Sequence, residues 1–256
     1  MILNHKIIGE GEPVIILHGL FGMLDNWQRF AKEIKEHYQV ILVDQRNHGK
    51  SFRSESFTYD LLADDVIALM DHLNIDKARI IGHSMGGKTA MHLVEAYPNR
   101  LQSFVIVDIA PKQYEGGHQA IFESVLSIDV NAATSRKEID MHLSQTIKEE
   151  MVRLFLMKNL KRRKEGGFDW KANFAVLHRV YQDIMDDSLS GTTDVPGLFI
   201  KGGNSGYIVD SDESIILRYF PNAIFHTIDG AGHWVHADKP NELLDEVLRF
   251  FSSGSA

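Results

Sequence analysis

Short runs of adjacent apolar residues alternate along the chain with longer amphipathic stretches. Val14-Ile15-Ile16-Leu17, Val40-Ile41-Leu42-Val43 and Arg79-Ile80-Ile81 are strand-sized and rich in β-branched residues, which is the pattern of strands buried on both faces. Phe104-Val105-Ile106-Val107 extends the series. Between these runs, helices are predicted over 25–36, with Asp25 as N-cap, and over 58–73, with Leu61, Leu62, Val66, Leu69 and Leu73 on one face. A further helix is predicted over 85–97, ended by Pro98. Continuous apolar strands alternating with helices predict a parallel sheet covered on both faces.

The rhythm breaks near residue 112. From 112 to 192 only helical periodicity is legible, and this span holds as many basic as acidic residues, so the remainder carries the whole net charge of −8. The alternation returns with Pro196-Gly197-Leu198-Phe199-Ile200, a helix from about Ser211, the run 223–228, and a last helix opened by Pro240. The expected organisation is a core made of 1–111 and 193–256, with an all-helical unit, 112–192, inserted into it.

Composition narrows the function classes. A chain of 256 residues that is 44% apolar and 24% charged has the makeup of a globular protein able to bury a core. A net charge of −8 argues against nucleic acid as a partner. With no cysteine there is no thiolate metal site and no cysteine nucleophile, which fits a reducing compartment. Neither a signal peptide nor a membrane-length apolar run is legible, so a soluble, cytoplasmic protein is expected; oligomeric state stays open.

The chemistry centres on Gly82-His83-Ser84-Met85-Gly86, a G-x-S-x-G pattern between a predicted strand and a predicted helix. A serine on such a turn is exposed, its neighbours must be small, and the helix start aims free N–H groups at a developing oxyanion. The same stretch, extended to Gly87-Lys88-Thr89, also satisfies the P-loop pattern, with Asp108 after an apolar strand as a possible Mg²⁺ holder. Features elsewhere favour a nucleophilic serine over a P-loop. Leu17-His18-Gly19-Leu20-Phe21-Gly22 follows the first buried strand and supplies a second oxyanion donor, the N–H of Leu20, to pair with that of Met85. Asp229-Gly230-Ala231-Gly232-His233 puts a histidine on a loop after the last strand. The order serine, aspartate, histidine is that of the hydrolases. On this reading Lys88 is a solvated helix residue.

Together with Asp44-Gln45-Arg46-Asn47-His48-Gly49-Lys50-Ser51, these motifs resemble the α/β-hydrolase superfamily, and within it the small bacterial carboxylesterases with a helical cap. The resemblance implies an eight-stranded, mostly parallel sheet with the cap inserted after the sixth strand. It implies Ser84 as nucleophile, His233 as general base and no cofactor. It leaves the acid open: the usual seat after the seventh strand is Ser205 within Gly202-Gly203-Asn204-Ser205. Asp108, at the end of the sixth strand, is favoured over Asp210, which also reads as a helix N-cap.

The remaining candidates have bland readings. His233 and His236 are three apart but lie in a loop, so a metal site is disfavoured. His18 and His83 are expected to make local hydrogen bonds, and Arg46 and His48 to brace the loop around Asp44. Lys161-Arg162-Arg163-Lys164 reads as a solvated face, with a phosphate-bearing acyl carrier as the sharper alternative. Leu154, Phe155, Met157 and Phe174 read as packing. The expectation is a serine esterase acting on short to medium acyl esters or thioesters through an acyl-enzyme. Alternatives are a C–C bond hydrolase, lactonase or perhydrolase on the same fold, a non-catalytic ligand receptor and, least favoured, a P-loop nucleotide binder.

Overall fold

The computed structural model describes residues 1–186 and 189–253. Residues 187–188 of the expected helical unit and 254–256 of the expected core lie outside them. The central sheet comprises β1 (His5–Ile8), β2 (Pro13–Leu17), β3 (Gln39–Val43), β4 (Ala78–His83), β5 (Leu101–Val107), β8 (Gly197–Gly202) and β9 (Ala223–Ile228), in the order β1-β3-β2-β4-β5-β8-β9. Only β1 is antiparallel to its neighbour; every other pairing is parallel. Among the described residues the sheet thus has seven strands where eight were expected, because the chain before β2 supplies the single strand β1.

Alternation along each strand divides the core in two. Ile15, Leu17, Ile41, Val43, Ile80 and Ile106 face the layer of α2 (Tyr59–His72) and α3 (Met85–Ala96). Val14, Ile16, Val40, Leu42, Ile81 and Val105 face α1 (Gln28–Ile34) and the last helix, Pro240–Ser253. Two buried faces require apolar residues at every strand position, which is why the strands are unbroken apolar runs. Thr58 caps α2 by accepting from Leu61 N. Asp25 is not a cap: it lies inside a 3₁₀ turn, Leu24–Trp27, that precedes α1, because the Met23 side of the turn takes the capping role.

The segment between β5 and β8 leaves the sheet. It contains α4 (Gln119–Ser127), α5 (Arg136–Leu143), α6 (Glu150–Met157), α7 (Phe174–Arg179) and α8 (Tyr181–Met185). It departs after the fifth strand in chain order, not the sixth. It is also not all-helical: β6 (Leu160–Arg162) and β7 (Phe168–Trp170) form an antiparallel hairpin apart from the central sheet. Strands this short, one of them within a basic run, give no apolar alternation to read. Gly167 (φ 70°) makes the turn possible, since a Cβ there would lie 1.9 Å from the Asn131 carbonyl oxygen. Lys161, Arg162 and Lys164 are exposed, as a solvated face requires. The segment has its own apolar cluster, in which Phe122, Leu156 and Phe174 pack with Leu20, Phe21 and Met85 of the sheet-bearing part.

The chain builds β3 on one side of β2 and then returns to place β4 on the other. The crevice beyond the carboxyl ends of β2 and β4 is therefore a topological switch point, where open parallel sheets bind ligands. The loops after β2 and β4 carry His18-Gly19 and Ser84.

Candidate active site

Ser84 is the single residue between β4 and α3, at φ 52° and ψ −120°. Such a backbone costs a non-glycine residue energy and persists only where its surroundings hold it. They do so by close approach. A Cβ at Gly82 would lie 2.3 Å from Gly86 O, and one at Gly86 would lie 2.4 Å from Leu17 O. Ser84 N donates to Val107 O (3.1 Å), which ties the turn to the end of β5. Met85 opens α3, whose first-turn N–H groups have no intrahelical acceptor.

Asp108 directly follows β5, also at positive φ (54°), and its carboxylate is fully buried. Oδ1 accepts from Gly202 N (2.9 Å). Oδ2 accepts from Ser205 Oγ (2.5 Å) and from His233 Nδ1 (2.8 Å). With Nδ1–H donating to Asp108, the His233 ring keeps Nε2 as its free, accepting nitrogen. Tyr207 stacks on that ring, centroids 3.6 Å apart and planes 13° apart, and His83 Nε2 donates to His233 O (2.8 Å). Burial holds the His83 imidazole well below 6.5, so it is neutral. Asp210 is elsewhere: it is exposed and paired with Lys201 Nζ (2.7 Å), which lowers its carboxyl below the usual range. Of the two expected acids, the structure brings Asp108 to His233 and leaves Asp210 on the surface.

The loop after β2 lies hard against the serine turn, since a Cβ at Gly19 would sit 2.9 Å from His83 Nδ1 and 3.2 Å from Ser84 Cβ. Its conformation is held at Phe21 (φ 61°). Phe21 N donates to His48 Nε2 (3.2 Å), and Phe21 O accepts from Asn159 Nδ2 (2.8 Å). His48 can accept because its Nδ1 proton goes to Arg46 O (2.9 Å). His18 works the same way, with Nδ1 donating to Gly19 O (2.8 Å) and Nε2 accepting from Gln45 N (3.1 Å). Burial lowers the two imidazoles to about 4 and about 3, His18 and His48 respectively, keeping both neutral.

The stretch 44–51 is scaffold. Asp44 accepts from Leu24 N (2.8 Å), Lys50 N (2.8 Å) and Asn4 Nδ2 (2.7 Å). Gly49 is required at φ 56°, because a Cβ there would lie 2.1 Å from Asp44 Cγ. Arg46 makes a bidentate pair with Asp65 (2.6 and 2.9 Å), anchoring the loop to α2. Asp44, Arg46 and His48 shape the Leu20 loop from behind and do not line the cavity.

That cavity measures about 530 Å³, a size that suits a small organic ligand. It is lined by Ser84, His233, His18 and Leu20 together with Ile121, Ile147, Val152 and Phe155 of the inserted segment. Phe155, expected to be packing, is a wall residue whose ring lies 5.4 Å from that of Trp234. Met157 and Phe174 are buried packing, and Leu154 is half exposed.

The chain matches the family model for the alpha/beta hydrolase fold over residues 12–240. It belongs to the α/β-hydrolase family. It is 41% identical to a putative esterase/lipase of Haemophilus influenzae, over 94% of this chain and 83% of that protein. It is 38% identical to the esterase YbfF of Escherichia coli, over 95% and 94%. A solved marine microorganism esterase superposes with a TM-score of 0.95 at 40% identity, covering 97% of this chain and 99% of that one.

Two features of this hydrolase were not legible in sequence. Ser205 stands where an acid was expected, yet its hydroxyl donates to Asp108; and Tyr207, two residues on, stacks on His233. The expectation for Lys88 is overturned too. Lys88 is not solvated but 2% exposed, its Nζ donating to Lys112 O (2.9 Å), Met185 O (3.0 Å) and Asp186 O. Every side of α3 is packed, so its one long cation turns inward to the carbonyls at both ends of the inserted segment. A P-loop lysine must reach phosphates, and this one is held away from them. Among the described residues no group of three or more His, Asp or Glu side chains is placed to hold a metal, and no helix is long and apolar enough to cross a membrane.

Proposed function

We propose that the protein is a serine esterase that cleaves small carboxylic esters, or thioesters, through an acyl-enzyme. The observation that carries this reading is the 2.8 Å contact of His233 Nδ1 with the buried Asp108 carboxylate, on a cavity that His233 shares with Ser84. Ser84 Oγ attacks the acyl carbon while His233 Nε2 takes its proton, and Asp108 stabilises the imidazolium that forms. The N–H groups of Leu20 and Met85 receive the oxyanion; losing one such donor typically costs ~10²–10³ in rate. His233 returns the proton to the leaving alcohol, then activates water to release the acid. The chemistry asks for no cofactor. Residues 112–192 act as a cap that closes the cavity from above, and a cysteine-free enzyme of this kind suits the cytoplasm. The esterase names of the relatives support the reaction class.

The test is turnover of p-nitrophenyl acetate together with labelling by a fluorophosphonate probe. Both are expected of the wild type and neither of Ser84→Ala, whose fold should survive because the half-buried hydroxyl leaves little cavity. Activity of Ser84→Ala within tenfold of wild type would overturn the serine mechanism.

A further inference from the structure

Ser84 stands at the junction of two chambers of very different size. The first is the 530 Å³ cavity. The second measures about 20 Å³, room for one methyl-sized group. Ser84, Leu20, His118 and Tyr207 line both chambers. His233 lines only the large one; Met85, Ile109, Ile184 and Met185, together with Tyr59, Lys88 and Tyr114, line only the small one.

The direction of the reaction assigns the chambers. The carbon that bonds to Ser84 Oγ loses its alkoxy group to a proton delivered by His233. The leaving oxygen must therefore lie on the His233 side, with its substituent in the large chamber. The acyl substituent points away from His233, toward Met85 and the small chamber. That chamber has a rigid floor. Ile109 Cγ2 presses on α3 so closely that a Cβ at Gly87 would lie 2.4 Å from it. The Met185 carbonyl is fixed by Lys88 Nζ (3.0 Å).

We propose that the two chambers divide the substrate unequally: the acyl group is acetyl-sized, the alcohol is bulky and apolar, and Ile109, Ile184 and Met185 set the acyl limit. This rests on the serine-esterase reading. In the acylation step the Ser84 Oγ–carbon bond forms and the carbon–alkoxy bond breaks. The Ser84 proton passes through His233 to the alkoxy oxygen. The short acyl group stays on Ser84 while the alcohol departs through the large chamber. Water enters by the same route and returns the enzyme to its starting state with release of the short acid.

Two isomeric esters separate this assignment from its reverse: hexyl acetate and ethyl hexanoate have the same atoms and similar hydrophobicity. The wild type is expected to hydrolyse hexyl acetate with a kcat/KM at least about tenfold higher, since one methylene too many in an apolar pocket is already worth ~10–200-fold in such discrimination. Equal rates, a preference for ethyl hexanoate, or turnover of neither ester by an enzyme that cleaves p-nitrophenyl acetate would each overturn the assignment and leave the esterase reading standing. Failure on p-nitrophenyl acetate, with no labelling of Ser84, would remove the esterase reading itself. Met185→Ala should shift the ratio toward ethyl hexanoate by about tenfold. An unchanged ratio in a folded Met185→Ala protein would contradict the acyl placement.

Discussion

Ser205 Oγ and His233 Nδ1 meet the same oxygen of Asp108, Oδ2, at 2.5 and 2.8 Å. Ser205 holds the loop position after β8 where the resemblance led a carboxylate to be expected. In this chain the carboxylate beside His233 lies at the end of the neighbouring strand β5, and Ser205 donates a hydrogen bond to it. Tyr207 N in turn donates to Ser205 Oγ (3.2 Å), so the hydroxyl accepts from one side and gives its proton to the acid. Among the described residues no Lys or Arg pairs with Asp108; its carboxylate accepts from Gly202 N–H, the Ser205 hydroxyl and the imidazole.

A graded series of variants follows from this arrangement. Asp108→Asn should cost up to ~10⁴ in turnover, because an amide holds His233 in the wrong tautomer. Ser205→Ala should cost about 10- to 100-fold, the worth of one hydrogen bond to a buried charge. Asp210→Asn should stay within a few-fold of wild type, since an exposed pair with Lys201 contributes little. Steady-state kinetics on one activated ester reads all three. A large loss in Asp210→Asn with a small one in Asp108→Asn would reverse the assignment.

Lys88 bears on stability in a way its place in a motif would not suggest. Removing its ammonium leaves the carbonyls of Lys112, Met185 and Asp186 short of a donor and opens space beside Tyr114, whose ring centroid is 5.2 Å from Nζ. Lys88→Ala is expected to lower unfolding free energy by about 3 kcal/mol. Lys88→Met keeps the apolar stem and should recover part of that loss. Urea unfolding followed by circular dichroism measures both; a change under about 0.5 kcal/mol for Lys88→Ala would show the carbonyl contacts to be incidental.

The contrast between Ser84 and Lys88 explains what the sequence made legible. The sheet was readable because burial on both faces leaves unbroken runs such as Val14 to Leu17. The serine turn was readable because close approach at Gly82 and Gly86 admits no other residue. His233 announced itself through its glycine-rich loop. What stayed hidden depends on partners without a residue signature. The Lys88 acceptors are backbone carbonyls, which any residue supplies. Ser205 and Asp108 are 97 residues apart, so only the pairing of β5 with β8 brings them together. The hairpin of β6 and β7 is too short for a periodic pattern. The expected eighth strand came from likeness to other chains, not from an apolar run in this one.

The buried imidazoles make acid sensitivity a specific expectation. Burial lowers His18 from 6.5 to about 4 and His48 from 6.5 to about 3. As pH falls below about 6.5 the unfolded chain protonates both rings while the native protein does not. The unfolded state then binds more protons, and stability falls with pH. Above about 6.5 this contribution is constant; between about 6.5 and 4 each ring should remove about 1.4 kcal/mol per pH unit. His83 is shifted in the same direction and steepens the decline. The His48→Gln variant isolates one ring. Glutamine does not titrate, so although it weakens the Phe21 contact and lowers stability near neutrality, its stability should fall less steeply with acid. Urea midpoints at about pH 7, 6 and 5 should give similar slopes near neutrality and, between about pH 6 and 5, a slope shallower than wild type by about 1 kcal/mol per unit. Parallel slopes for the two proteins would mean that His48 is already able to protonate in the native state.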